Sequence, residues 1–201
     1  MTGADYLPVA AIILAAGAST RMGGQPKLML THHGVPLVRR AVETAVSGGC
    51  SDVVVVLGAH QEQYRPQLKG TPARLLPNPE FSQGMSSSIR VGIEALAEDT
   101  QAAIIMLADQ PFIDRSVIER LITTYVTSKA RIVACDYGGV RGAPVLFERA
   151  LFLELLLLEG DQGARHVMTI YPRNVTTIEI SPTAAADIDT PEDARRLLPD
   201  E

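Results

Sequence analysis

Three continuous apolar runs stand out along the chain, at residues 9–14, 52–57 (opened by Asp52) and 102–107. A run that is apolar at both alternate positions predicts a strand covered on both faces. Shorter strand candidates lie at 73–76 and 131–135. Helical patterns fall between them, at 36–47, 86–98 and 115–128. The first of these meets Gly48-Gly49, a helix-end signal. The repeated strand–helix–strand order predicts an α/β sandwich, a mostly parallel sheet with helices on both faces.

The last third is less regular. A strand is expected at 144–147, helices at 148–158 and 162–171, and a strand with one wet face at 174–180. Residues 187–191 read as a loop and 192–198 as a closing helix. The length of 201 residues and an apolar fraction of 46% suit one domain over 1–201 with a sizeable core. The part after about Tyr137 is expected to form a less regular, substrate-facing half.

Charge narrows the partners. The net charge is −5 and there is no long basic run, which argues against nucleic acid. A local basic pocket for an anionic small molecule stays open. Cys50 and Cys135 form no CxxC pair and have no His at metal spacing, so two reduced, buried thiols are expected and no zinc site. Residues 9–18 are apolar and end in small residues, but Asp5 precedes them and no Lys or Arg does. That argues against a secretory signal. The run is too short to span a membrane, as is 151–158, which Glu154 interrupts. A cytoplasmic protein with no membrane partner is predicted.

Candidate chemistry begins where the first strand ends. It runs into Ala15-Ala16-Gly17-Ala18-Ser19-Thr20-Arg21-Met22-Gly23-Gly24-Gln25-Pro26-Lys27. Ligands of open α/β sheets bind at the carboxyl ends of strands, and small residues there let backbone amides approach an anion. Arg21 and Lys27 add positive charge suited to a triphosphate. Neither GxxxxGK[ST] nor GxGxxG is present. From its residues alone the segment reads equally as a glycine-rich turn with two solvated cations or as a phosphate cradle.

Asp109 follows an apolar strand directly, so it is expected at the same sheet edge, where a carboxylate can hold Mg²⁺ against phosphate oxygens. Asp114 is the better cap for the next helix, which frees Asp109. Asp189 lies in Asp187-Ile188-Asp189-Thr190-Pro191-Glu192-Asp193. It is either a helix cap, in competition with Thr190, or a second metal ligand. Residues 78–90 form a polar loop feeding a helix. Ser86, Ser87 and Ser88 exceed what one cap needs. Ser19 is in no GxSxG elbow. His32-His33-Gly34 reads as a polar hairpin turn, His60 and His166 are isolated, and Met22, Met85 and Met168 are expected to pack.

Taken in order, Leu14-Ala15-Ala16-Gly17, Ser19, Arg21-Met22-Gly23 and Lys27 resemble the signature of the MobA-like nucleotidyltransferase superfamily. The closer resemblance is to its MocA branch, the molybdenum cofactor cytidylyltransferases, and it covers nearly the whole chain. It is carried further by Asn78-Pro79, Gly84-Met85-Ser86-Ser87-Ser88, Ala108-Asp109-Gln110-Pro111, Arg141-Gly142-Ala143-Pro144, Gly160-Asp161, Gly163-Ala164-Arg165 and the segment from Asp187 to Asp193.

The resemblance implies a Rossmann-like three-layer sandwich and transfer of CMP from CTP to the terminal phosphate of molybdopterin, with release of pyrophosphate. Arg21, Lys27 and Asp109 would be catalytic. Leu14, Ala15, Ala16, Gly17, Lys27, Asn78, Gly84, Ser87 and Ser88 would bind the nucleotide. Arg141, Gly142, Asp161 and Arg165 would face the acceptor. Asp109 and Asp189 would coordinate Mg²⁺, and a client molybdoenzyme would be the macromolecular partner. Ala15-Ala16 matches the cytidylyl branch. Ala143 departs from the His or Asn often found there in the family. The alternatives are GTP as donor, a sugar or alditol phosphate as acceptor, and a non-catalytic cofactor chaperone, against which the Asp109–Asp189 pair argues.

Overall fold

The computed structural model describes residues 7–128 and 130–198. Asp5 and the two ends of the expected 1–201 domain lie outside the described residues. The chain opens with β1 (Val9–Ala15), a short hairpin of β2 (Thr31–His32) and β3 (Val35–Pro36), and α1 (Leu37–Ser47). β4 (Asp52–Leu57), α2 (Gln61–Gln67), β5 (Arg74–Pro77), α3 (Met85–Glu94) and β6 (Ala102–Leu107) follow. Next come α4 (Arg115–Ser128), β7 (Ile132–Asp136) and β8 (Arg141–Glu148). α5 (Phe152–Leu156), α6 (Ala164–Ile170), β9 (Val175–Glu179) and α7 (Pro191–Leu197) complete the described chain.

Seven strands form one sheet in the order β5-β4-β1-β6-β8-β7-β9. β8 alone in this sheet runs antiparallel, to β6 on one side and to β7 on the other. The remaining pairs are parallel. The apolar runs are apolar at every position because each face of the sheet is covered. Ala11 and Ile13 of β1, Val53 and Val55 of β4, and Ile104 and Met106 of β6 pack with α1, α2 and α4. The alternate residues Ile12, Val54, Val56, Ala103 and Ile105 pack with α3, α5 and α6. Each fully buried Ile or Val contributes about 1.5–3 kcal/mol.

β1 has β4 on one side and β6 on the other. The chain leaves β1 through α1 on one face and returns to β6 through α3 on the opposite face. The order of the sheet therefore switches between β1 and β6, and a crevice opens at the carboxyl ends of these two strands.

Several sequence expectations shift in detail. The 144–147 strand extends to Arg141–Glu148, because pairing with both β6 and β7 satisfies its backbone. Glu148 thus belongs to the sheet, and the expected 148–158 helix is a 3-10 turn, Arg149–Leu151, followed by the short α5. The last third supplies two strands, β8 and β9, to the common sheet. The 86–98 helix ends at Glu94. α2 was not anticipated: it is polar, contains Pro66 and buries only Tyr64. The predicted hairpin turn is present, with His33 and Gly34 at φ 52° and 71°. Both cysteines are free, and burial pushes each thiol up to about 12. Among the described residues no helix is long and apolar enough to cross a membrane.

Asp114 caps α4 as anticipated, accepting from the Ser116 amide at 2.9 Å and the Val117 amide at 3.3 Å. Its hydrogen bond from the Ser116 hydroxyl, and then those from the amides, hold its carboxyl below the ordinary range despite some burial. Asp114→Ala is expected to cost about 1 kcal/mol in urea unfolding at neutral pH. Because the folded-state pKa is depressed, the difference persists above the ordinary carboxylate range. It disappears as the pH falls through the folded value.

Candidate active site

A cleft of about 560 Å³ lies at the β1–β6 switch. One wall is the segment Leu14, Ala15, Ala16, Gly17, Ala18, Ser19 and Thr20. The rest comes from Arg21, Lys27, Leu28, Phe81, Gly84, Met85, Ser88, Leu107, Asp109, Asp161, Asp187 and Asp189.

The loop after β1 is held in shape by its own backbone. Ser19 adopts φ 52°, and its carbonyl accepts from the amides of Met22 at 2.9 Å and Gly24 at 3.1 Å. Met22 and Leu28 are buried and pin the two 3-10 turns, Thr20–Met22 and Lys27–Met29. His60 Nε2 lies 3.2 Å from the Ala18 carbonyl oxygen. Beneath the loop, Tyr64 is fully buried, its hydroxyl facing Ser19 and the Leu28 amide without closing a hydrogen bond to either.

Lys27 joins the loop to the rest of the cleft. Its Nζ donates to Asp109 Oδ2 at 2.5 Å and to Asp189 Oδ1 at 2.9 Å. Arg21 Nη1 lies 2.9 Å from Asp189 Oδ2 and is 69% exposed, against 15% for Lys27. Burial works against the Lys27 ammonium, but Asp109 and then Asp189 outweigh it and raise its pKa. Asp109 is placed by β6, whose ladder to β1 continues through Ala108 N–H to the Leu14 carbonyl at 3.3 Å. Asp109 Oδ1 is buried and has no hydrogen-bond partner.

Asp189 is placed by its neighbours. Ile188 is fully buried, and its amide donates to the Asp109 carbonyl at 3.1 Å. Thr190 rather than Asp189 caps α7: Thr190 Oγ1 accepts from the Asp193 amide at 3.1 Å, and Asp193 Oδ2 accepts from the Thr190 amide at 3.0 Å. The Asp189 carboxylate is therefore left to face the cleft. Asp187 stands on the same wall, its pKa raised first by burial and then by Asp189 and Asp109.

The opposite wall is the start of α3. Gly84 has φ 102°, and a β-carbon there would stand 2.3 Å from the Gly160 carbonyl. This close approach lets the Ser86 amide donate to the Gly160 oxygen at 3.1 Å and brings Asp161 to the cleft. Asn78 is buried and its Nδ2 donates to Ser87 Oγ at 2.9 Å and Ser88 Oγ at 3.0 Å. Ser87 Oγ also lies 2.8 Å from the Gly84 carbonyl oxygen.

Of the anticipated nucleotide residues, Leu14, Ala15, Ala16, Gly17, Lys27, Gly84 and Ser88 line the cleft. Asn78 and Ser87 lie behind its wall and shape it. Of the anticipated acceptor residues Asp161 lines the cleft, whereas Arg141, Gly142 and Arg165 stand outside its walls. Gly142 and Arg165 are close: Arg165 Nη2 is 3.8 Å from where a β-carbon at Gly142 would stand. Sequence reasoning missed Phe81, Met85, Asp187 and the loop contact of His60. Asp187 carried a signal, two residues before Asp189 on the same loop, and Phe81 and Met85 fall within the polar segment 78–90.

The loop after β1, four carboxylates (Asp109, Asp161, Asp187 and Asp189) and two cations (Arg21 and Lys27) meet in one crevice at the switch point of the sheet, where open α/β sheets bind ligands. The chain belongs to the family of the MobA-like NTP transferase domain, whose model matches residues 11–176. It is 33% identical to the nicotine blue oxidoreductase of Paenarthrobacter nicotinovorans over 98% of this chain and all of that one. It is 29% identical to the bifunctional protein GlmU of Sorangium cellulosum over 57% of this chain, spanning about a quarter of GlmU's length. The structure of Rv0371c from Mycobacterium tuberculosis superposes with a TM-score of 0.85 at 25% identity, covering 96% of this chain and 98% of that one. The same protein is known in complex with manganese, with a TM-score of 0.77 at 26% identity over 95% of this chain and 98% of that one.

Gly84→Ala is expected to lower stability by about 1–3 kcal/mol through backbone strain, with further loss from the clash at Gly160. Gly17→Ala, with no atom within 4 Å of the new carbon, should stay within about 0.5 kcal/mol of the parent. Urea unfolding of both variants checks this; equal losses would contradict the tight packing of Gly84.

Proposed function

We propose that this nucleotidyltransferase transfers CMP from CTP to the terminal phosphate of a molybdopterin-type cofactor, as a cytoplasmic MocA-type enzyme built on a single transferase domain. The observation that carries the reading is the Lys27–Asp109–Asp189 cluster facing the backbone-lined wall of the cleft. Ala15-Ala16, shared with cytidylyl relatives, supports CTP over GTP.

The donor set fits a Mg²⁺ ion. Asp109 Oδ1 is buried without a partner, and Asp189 faces it across the Lys27 ammonium. One or two carboxylates completed by phosphates and water suit Mg²⁺. Asp109 and Asp189 would hold the ion, which supplies positive charge to the phosphate oxygens. The backbone of residues 14–17, with Gly84 and Ser88, would seat the nucleoside. Asn78 and Ser87 would keep that wall in place. Arg21 and Lys27 would neutralise the triphosphate. Asp161 would meet the acceptor at the cleft, with Arg141, Gly142 and Arg165 extending its seat.

In the reaction an oxygen of the acceptor's terminal phosphate attacks the α-phosphorus. The bond from that phosphorus to the bridging oxygen breaks, and pyrophosphate leaves with the electron pair. The nucleophile is already anionic, so no protein base is needed, and catalysis rests on positioning and charge.

A second reading comes from the full-length relative named as an oxidoreductase. One panel separates the readings: pyrophosphate release from CTP and GTP, with and without molybdopterin or a sugar phosphate, and NADH or NADPH oxidation with nicotine blue as the electron acceptor. Release from CTP with molybdopterin is expected. Release with a sugar phosphate only points to another acceptor, no release with tight cofactor binding to a chaperone, and reduced-nucleotide oxidation to the oxidoreductase. Asp109→Asn is expected to lower kcat on the order of a hundredfold or more with unchanged circular dichroism. Retained activity with normal Mg²⁺ dependence would remove Asp109 from the site.

A further inference from the structure

The Lys27 ammonium occupies the space between the two carboxylates that would hold the metal. It donates to one oxygen of each, at 2.5 and 2.9 Å. It is 15% exposed, so solvent screens these charges only weakly. A divalent cation placed between Asp109 and Asp189 would meet the Lys27 ammonium at close range, and like charges a few ångströms apart at a part-buried site repel strongly. The same lysine is a part-buried cation of the cleft, on the loop that would face the triphosphate.

We infer that Lys27 is a placeholder for the metal. Without nucleotide its ammonium neutralises Asp109 and Asp189 and keeps a free divalent ion out. When the metal–triphosphate complex arrives, Lys27 exchanges its two carboxylates for phosphate oxygens and yields the position. The exchange needs both partners at once: the carboxylates need a replacement cation, and a part-buried ammonium needs a replacement anion. Metal and nucleotide would therefore enter together. Asp187 stands on the same wall of the cleft. This inference rests on the metal-dependent reading of the site.

The test is a titration of the full chain with Mn²⁺, following free Mn²⁺ by electron paramagnetic resonance, with and without a CTP analogue carrying a methylene between the α- and β-phosphorus, binding by the protein being the loss of signal beyond that caused by the same analogue alone. Wild-type protein alone is expected to bind weakly, and Lys27→Met and Lys27→Gln about tenfold or more tightly than wild type. Lys27→Arg, which keeps the charge, should stay weak. Adding Asp109→Asn to Lys27→Met should abolish the gain. Wild-type protein with the analogue should bind tightly. If both neutral variants fold and bind Mn²⁺ no better than wild type, while wild type with the analogue binds, the placeholder role falls and the metal site stands. If no form binds Mn²⁺ even with the analogue, the metal-dependent reading itself falls.

Discussion

The cleft depends on one ammonium held between two carboxylates. Lys27 reaches Asp109 across 82 residues of sequence and Asp189 across 162. Each partner is fixed by a different device. Asp109 is carried on the end of a buried strand, Asp189 on a loop anchored by Ile188, and Lys27 at the start of the second of two turns pinned by Met22 and Leu28. Removing Lys27 would leave the part-buried Asp109 without its counter-ion, which is costly. The cluster therefore couples the loop, the sheet edge and the late segment into one unit.

The sheet explains why these segments meet. Its order switches at β1, where the chain departs on one face and returns on the other, so the carboxyl ends of β1 and β6 stay uncovered. Both faces of the strands are sealed by helices, and the edge is the place left for polar chemistry. Backbone amides and small side chains form one wall, the start of α3 the other. On the proposed reading such a site would bind and position a phosphorylated ligand, which is the main demand of transfer between phosphates.

The central strands were legible because strands buried on both faces are apolar at every position, as in β1, β4 and β6. α2 was not, since its one core contact is Tyr64 and the rest of its surface is polar. The extension of β8 to Arg141 was hidden because its first residues are exposed or partly so and carry no apolar pattern. Asp109 could be picked out: it follows a strand directly, and Asp114 was available to cap the next helix. Asp189 stayed ambiguous until the Thr190–Asp193 capping box showed its carboxylate free of that duty. Phe81, Met85 and His60 reach the site only through the packing of distant segments, which no local pattern encodes. The wall role of Asn78 and Ser87 likewise appears only once their shared buried hydrogen bonds are seen.

The most direct measurement is a crystal structure with Mn²⁺ and a non-hydrolysable cytidine triphosphate analogue, using the anomalous signal of manganese to place the ion. The account predicts a peak between Asp109 and Asp189, with the triphosphate along the backbone wall of residues 14–17 and Lys27 Nζ turned to its oxygens. A peak elsewhere, or Lys27 still bridging the two carboxylates beside bound nucleotide, would contradict it.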